Sequence, residues 1–284
     1  MQPDSSLPPL PDPRRSQLGH SSIHYKNAAS ILSPATGFMD SYDFTLNPYS
    51  GCSFGCTYCY AAFFARDNAL REQWGYWVNV KENALLLLQK LRKKPLLDKA
   101  IYLSSVTDPY QPIEKELQLT RSLLQELADY HQVRLVVQTR SPLVVRDLDL
   151  LGRFPVVQVN MTITTDSERV RKVFEPLCPG NQGRLQAIAQ VQAAGVPACI
   201  TLTPLLPVED AHAFAQTLLA TGVIRYIVQP FHADRGKFTA GTRPEAVRLM
   251  QELGWTPERY QQVVAILQQY LPTLGEGKQG FAAI

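Results

Sequence analysis

Three cysteines, Cys52, Cys56 and Cys59, share one short stretch, NPYSGCSFGCTYCYA, with the spacing Cys-x3-Cys-x2-Cys. Thiolates are soft ligands, and several on one loop select an iron–sulfur cluster, zinc or copper(I). Three thiolates can hold three irons of a cubane cluster. The fourth iron then lacks a protein ligand, and an open coordination position is what chemistry at a metal requires. Gly51 and Gly55 permit the tight turns of such a wrap. A structural zinc site would want a fourth ligand at regular spacing, yet no Cys or His follows Cys59 within 40 residues. A pure electron-transfer cluster would need Cys178 or Cys199 to fold back as a fourth ligand. Cys178 sits in EPLCPG, which reads as a loop with an accessible thiol. Cys199 lies mid-strand, where a free Cys behaves as a small buried hydrophobe.

The elements that must position these residues alternate along the chain. Strand candidates fall near residues 44, 101, 134, 158, 198 and 226. Helical stretches between them cover about 61–70, 82–92, 113–131, 143–151, 184–194 and 209–221, and two more follow near 244–253 and 257–270. The 113–131 stretch is amphipathic, with Ile113, Leu117, Thr120, Leu124, Leu127 and His131 at three-to-four spacing and Glu114 and Glu116 at its start. Strands alternating with helices imply parallel pairing, and near-continuous apolar strands imply a sheet covered on both faces. Six such units fit an open doubly wound sheet or a curved partial barrel. Both bind ligands at the carboxyl ends of the strands. Those ends carry Asn47, Ser104–Asp108, Gln138–Ser141, Thr162, Thr164 and Thr165, Thr201 and Thr203, and Gln229 with His232.

Composition narrows the class. The chain has 284 residues, 45% hydrophobic, which suits one or two globular domains. Five cysteines, an odd number, argue against a disulfide-stapled secreted scaffold. The start, MQPDSSLPPLPDPRR, lacks the apolar core of a signal peptide, and no apolar run approaches the roughly 20 residues of a membrane span. The expectation is a cytoplasmic protein with no membrane partner. A net charge of +3 is too small to imply a nucleic-acid partner by itself. Local cations at Arg169, Arg171, Lys172, Arg184, Arg235, Lys237 and Arg243 follow strand ends and could face a phosphate backbone, or serve as solvated surface charge. Residues 1–36 read as a flexible Pro/Ser-rich arm, 37–232 as the domain carrying the cysteine loop, and 233–284 as a C-terminal helical extension.

The cysteine motif, with aromatic Tyr58 before its last Cys, resembles the signature of the radical S-adenosylmethionine superfamily. The resemblance is closer to the branch of spore photoproduct lyase and its uncharacterised relatives. It extends over VKENALLLL, SSVTDPYQPIEKELQLTR, TRSPLVVRDLDLL and TITTDSERVRKVFEP, about residues 43–205 in all. It implies an α/β fold, a partial (β/α)6 barrel with an extended N-terminal arm and C-terminal helices. It implies a [4Fe–4S] cluster on Cys52, Cys56 and Cys59, with S-adenosyl-L-methionine chelated at the open iron. Reductive cleavage would give a 5′-deoxyadenosyl radical that abstracts a substrate hydrogen. An external donor such as flavodoxin or ferredoxin would supply the electron.

The resemblance also implies cofactor-binding residues. Tyr58 would lie near the adenine. Ser105, Thr107 and Asp108 would lie near the methionine amine, and Arg140 would pair with the carboxylate, with Thr139 beside it in the chain as a further cofactor-binding candidate. Thr162 and Thr164 would approach the ribose. The same residues fit plainer roles as turn formers, strand residues and packing. One departure bears on substrate. Where the lyase has a Cys that returns hydrogen to the product radical, this chain has Ser105, whose O–H bond is far too strong for that role. Cys178 remains a candidate thiol donor. Nucleic acid is a substrate class by analogy alone. A peptide or small molecule, or a non-catalytic iron–sulfur electron carrier or redox sensor, fits the residues as alternatives.

Overall fold

The computed structural model describes residues 14–232, 239 and 241–284. Its strands are β1 (Gln17–Leu18), β2 (Ser21–Lys26), β3 (Leu32–Pro34), β4 (Phe44–Leu46), β5 (Tyr49–Ser50), β6 (Trp77–Lys81), β7 (Leu97–Leu103), β8 (Gln132–Thr139), β9 (Val156–Thr162), β10 (Ala198–Leu205), β11 (Arg225–Pro230) and β12 (Leu274–Glu276). Its α-helices are α1 (Asn68–Glu72), α2 (Ala84–Gln89), α3 (Glu114–Leu117), α4 (Leu119–Tyr130), α5 (Leu148–Leu151), α6 (Glu168–Phe174), α7 (Asn181–Ala193), α8 (Ala211–Leu219), α9 (Pro244–Glu252) and α10 (Pro257–Tyr270).

The main sheet runs β12-β11-β10-β9-β8-β7-β4-β3. Every neighbouring pair from β4 to β12 is parallel, and β3 is antiparallel to β4. The six strands expected from the alternation of apolar and helical stretches are all present, in sequential order. This is the α/β parallel sheet expected. Side chains alternate along each strand, so one face takes Ile101, Leu103, Leu135, Val137, Val159 and Ile200. These pack against Leu123, Leu127, Ile188, Phe214 and Leu267 of the covering helices. The other face carries Tyr102, Val136, Cys199 and Ile227, closed at one end by Phe281. It also carries a hydrogen-bonded ladder. Tyr102 donates to Gln138 at 2.8 Å, and Gln138 donates to Thr162 at 2.7 Å and Thr201 at 3.2 Å.

Three features depart from the sequence reading. The arm expected over residues 1–36 is ordered structure from residue 14 onward, the first thirteen residues lying outside those described. β2 pairs parallel with β6, and β1, β2, β6 and β5 form a second, four-stranded sheet. Ile23 and Val78 are buried in it, so a composition that looked polar still supplied an alternating strand, SSIHYK. The single helix expected over 113–131 is broken at Gln118, whose φ is +48°. The buried Glu114 carboxylate accepts the N–H of Thr120 at 3.0 Å, so it serves α4 as an N-terminal anion. α9 of the C-terminal extension packs on the cysteine loop through Ala246, Leu249 and Met250. No helix among the described residues is long and apolar enough to cross a membrane.

Candidate functional site

The cysteine loop follows β4 directly and lies at the carboxyl ends of the parallel strands, where polar residues were expected to converge. Cys52 and Cys56 are buried and Cys59 is half-buried. They sit in a separate apolar cluster with Phe54, Trp74, Trp77, Phe174, Leu206 and Leu249. Gly51, at φ +75°, is pressed so closely against Trp77 that a Cβ would lie 2.4 Å from its carbonyl oxygen. On the far side Gly241 lies against Cys59, where a Cβ would fall 2.1 Å from the Cys59 oxygen. Tyr58 and Thr242 form a short antiparallel bridge, and the N–H of Arg243 donates to the Thr57 carbonyl at 2.8 Å.

The strand ends are tied to this loop by side chains. Thr107 donates to the Gly51 carbonyl at 2.6 Å. Gln111 accepts the Ser53 N–H at 3.1 Å and donates to Thr107 at 3.4 Å. Asn47 donates to Ser105 at 3.3 Å and accepts the Val106 N–H at 3.1 Å. Tyr60 donates to the Ser105 carbonyl.

Asp108 is buried and accepts three donors: Thr139 Oγ1 at 2.8 Å, the Tyr110 N–H at 2.9 Å and the Arg140 N–H at 2.8 Å. Burial pushes its carboxyl above the usual value although all three donors favour the ionised form. In this arrangement Asp108 links the segment after β7 to the end of β8.

Arg140 reaches back toward the loop. Its Nη2 lies 3.2 Å from the Tyr58 hydroxyl, and its Nε lies 3.5 Å from Glu175. Tyr58 donates to the same Glu175 oxygen, as does Thr164 at 3.2 Å. The other Glu175 oxygen meets Arg184 Nη1 at 2.6 Å, with both side chains fully buried. Burial alone would raise the Glu175 carboxyl, but Arg184 and Arg140 beside it hold it down at about 2. Thr162 Oγ1 belongs to the Gln138 ladder, and its carbonyl accepts from Arg184 at 3.1 Å.

Of the twelve sequence candidates, all but Cys178 therefore lie on the loop, in the first residues past β7 or at the ends of β8 and β9. Sequence reasoning missed Glu175 and Gln111, noted Asn47 only as a strand-end residue, and read Arg184 as a cation for phosphate or solvent rather than as the partner of Glu175. Asn47 and Gln111 stand inside the quoted motif stretches, and the FEP run around Glu175 was the available signal.

Two expectations are corrected. Cys178, read as an accessible loop thiol, is buried, with its sulfur 3.6 Å from Cys56 Sγ. The turn after α6 folds inward because Arg171 grips the Glu175 and Cys178 carbonyls at 3.0 and 3.2 Å. The hydrogen bond from Cys178 lowers the Cys56 thiol, whereas burial raises Cys178. Among the cations read as able to face a phosphate backbone or as solvated surface charge, Arg171 and Arg184 are instead buried, and Arg243 donates to the Glu72 and Trp74 carbonyls. Arg169 and Lys172 are exposed, and Arg235 and Lys237 lie outside the described residues. Cys199 is buried, as expected.

The donor set, three thiols of one loop, is of a kind that suits an iron–sulfur cluster. No three Cys, His, Asp or Glu side chains among the described residues are gathered tightly enough to hold one metal ion. A cubane places each thiolate on its own iron, so its ligands need not converge on one point. A soft, all-sulfur donor set in an apolar shell suits it.

Comparison with known proteins agrees. The profile of the radical SAM superfamily matches residues 46–220. An uncharacterised protein of Methanocaldococcus jannaschii is 36% identical over 164 residues, 58% of this chain and 61% of that protein. A radical SAM Nα-GlyT isomerase of Pseudomonas phage M6 is 26% identical over 161 residues, 56% of this chain and 32% of that protein. The chain thus spans under two thirds of the length of either. Among solved structures, spore photoproduct lyase with bound AdoMet and dinucleoside spore photoproduct aligns with a TM-score of 0.59 at 15% identity, covering 89% of this chain and 81% of that one. At that identity the likeness is one of fold.

Proposed function

The chain belongs to the radical SAM superfamily, whose members are enzymes, and from that premise we propose that Cys52, Cys56 and Cys59 ligate a [4Fe–4S] cluster beside bound S-adenosyl-L-methionine. When bound, these groups supply reductive cleavage of S-adenosylmethionine and hydrogen-atom abstraction from a substrate. The chain's own residues hold the loop and shield it. Thr107 and Gln111 fix the loop to the segment after β7. Asp108 orients the backbone at Arg140, and Glu175 with Arg140 fixes the Tyr58 ring, which would border the adenine of bound S-adenosylmethionine. Trp74, Trp77, Phe174 and Leu249 exclude water around the thiols. Cys59 is the least buried of the three, which supports that side as the one an external donor such as flavodoxin or ferredoxin would approach. The observation that carries this reading is the placing of three buried or half-buried thiols of one loop at the carboxyl ends of a parallel sheet.

Anaerobic reconstitution with iron and sulfide, then dithionite and S-adenosylmethionine, tests it. Formation of 5′-deoxyadenosine is expected, and Cys56→Ala should abolish both cluster and product. An intact cluster with no 5′-deoxyadenosine favours an electron carrier or redox sensor instead.

For the substrate we favour a nucleic acid. Directly after Cys59, Tyr60, Phe63 and Phe64 are exposed and in edge-to-face contact, with the Arg71 guanidinium 5.4 Å from the Phe63 ring centroid. Exposed rings with adjacent cations suit unpaired bases. Binding of a single-stranded oligonucleotide, followed by fluorescence anisotropy, should weaken with salt and with Phe64→Ala. No binding at low salt leaves a peptide or small molecule as the substrate.

A further inference from the structure

Cys178 is assigned no role in the proposed chemistry, yet its sulfur touches one of the three loop thiols. The Sγ–Sγ distance to Cys56 is 3.6 Å, within hydrogen-bonding range for sulfur. Both residues are buried, Cys56 at 5% exposure and Cys178 at 7%, so water does not compete for the contact. The contact is also built in. Thr57, next to Cys56, donates to the Phe174 carbonyl from its N–H at 2.9 Å and its hydroxyl at 3.2 Å. The Cys178 N–H donates to the Glu175 carbonyl at 3.2 Å, and Arg171 holds the Cys178 carbonyl. The turn after α6 is thus fastened to the loop at one end and clamped at the other.

We propose that Cys178 is a positioning residue whose S–H donates a hydrogen bond to the Cys56 thiolate and makes the cluster easier to reduce. The inference rests on the reading that Cys56 is a cluster ligand. A ligating thiolate carries no proton, so the one proton shared by the pair belongs to Cys178. Donors to ligand sulfurs draw electron density off the cluster. Reduction adds negative charge, so such a donor stabilises the reduced form more than the oxidised one. A low-dielectric setting strengthens the effect. This use of the thiol differs from hydrogen return to a substrate radical, because the S–H is directed at a ligand sulfur and is shut away from solvent.

The test compares wild type, Cys178→Ala and Cys178→Ser after anaerobic reconstitution. Iron content and the visible spectrum establish the cluster first. Each protein is then poised at the wild-type midpoint potential with redox mediators, and the reduced fraction is read by electron paramagnetic resonance. All three should bind equal iron. Cys178→Ala should lower the reduced-to-oxidised ratio about three- to tenfold, the size of one weak hydrogen bond, tenfold being 59 mV for one electron. Cys178→Ser, which keeps a donor, should restore the ratio to the wild-type value or above. An unchanged ratio in Cys178→Ala overturns the proposal. So does loss of iron from Cys178→Ala, which would make Cys178 a ligand. A wild type that forms no cluster defeats the ligand reading itself.

Discussion

Replacing Glu175 by Gln should destabilise the cluster-free protein by about 3–5 kcal/mol at neutral pH. Glu175 and Arg184 are both fully buried and 2.6 Å apart, and Arg140 adds a second cation at 3.5 Å. Burying the carboxylate is costly. The two guanidinium groups more than offset that cost, since they hold the carboxyl at about 2 against an ordinary 4.5. That difference amounts to about 3 kcal/mol in favour of the ionised folded form. Gln keeps the shape and removes the charge, leaving Arg184 without its counterion in a site water does not reach. Thermal and urea unfolding followed by circular dichroism would measure the loss, as a fall in Tm of about 6–20 °C with an unchanged urea slope. The pH dependence has a definite sign. The folded carboxyl titrates below its unfolded value, so its contribution is complete above about pH 4.5 and is lost as pH falls toward 2. The wild-type and variant stabilities should therefore converge across that window. A loss under about 1 kcal/mol at pH 7 would refute the assignment of Glu175 as the counterion holding this end of the sheet together.

Two further outcomes follow from the same geometry. Gly51→Ala should cost about 2–4 kcal/mol and lower the iron bound on reconstitution, because its φ of +75° strains any side chain and its Cβ would strike Trp77. Trp77 cannot move aside easily, since its Nε1 donates to the Leu70 carbonyl at 2.9 Å and its ring packs on Trp74; a variant with wild-type Tm and iron content would show the loop to be looser than this. His131 accepts the Leu96 N–H on Nδ1 at 3.1 Å, and burial lowers its titration from the usual 6.5. Its neutral form is the folded one, so its contribution is present above about pH 6.5 and declines as pH falls below that value. Stability measured at pH 7.5 and 5.5 should fall more in wild type than in His131→Asn, and an equal fall in both would contradict it.

Much of the fold was legible because it rests on periodicity. AIYLS, VRLVVQ and VVQVNMTI each set an unbroken apolar row on one face, including Ile101, Leu135 and Val159, while the other face, with Tyr102, Asn160 and Thr162, is buried as well, as in a sheet covered on both sides. The stretches missed are the ones whose structure depends on a partner. β2 (SSIHYK) is half polar and becomes a strand by pairing with β6. Gln118 takes a left-handed conformation inside an amphipathic run because the neighbouring Glu114 can then reach the N-terminus of α4. Local propensity contains neither fact.

The site divides along the same line, with a consequence for what its residues do. Cys52, Cys56 and Cys59 were readable as a group because their spacing alone puts three thiols on one loop. Glu175 and Cys178 lie more than a hundred residues further on, and nothing in EPLCPG announces contact with Cys56 or Tyr58. Their roles come from α6, which delivers both to the underside of the loop. The strand-end candidates show the reverse. Thr107, Asp108, Thr139 and Thr164 were singled out as residues able to touch a ligand, and each has its side-chain oxygen engaged within the protein. A polar residue at a strand end can grip a ligand or brace the residue that does. Sequence position is the same for both, and only the hydrogen-bond partners separate them. Here the partners make a continuous brace from Asp108 through Arg140 to Glu175 and Arg184. Loss of charge at Glu175 should therefore be felt at Tyr58 as well as in stability.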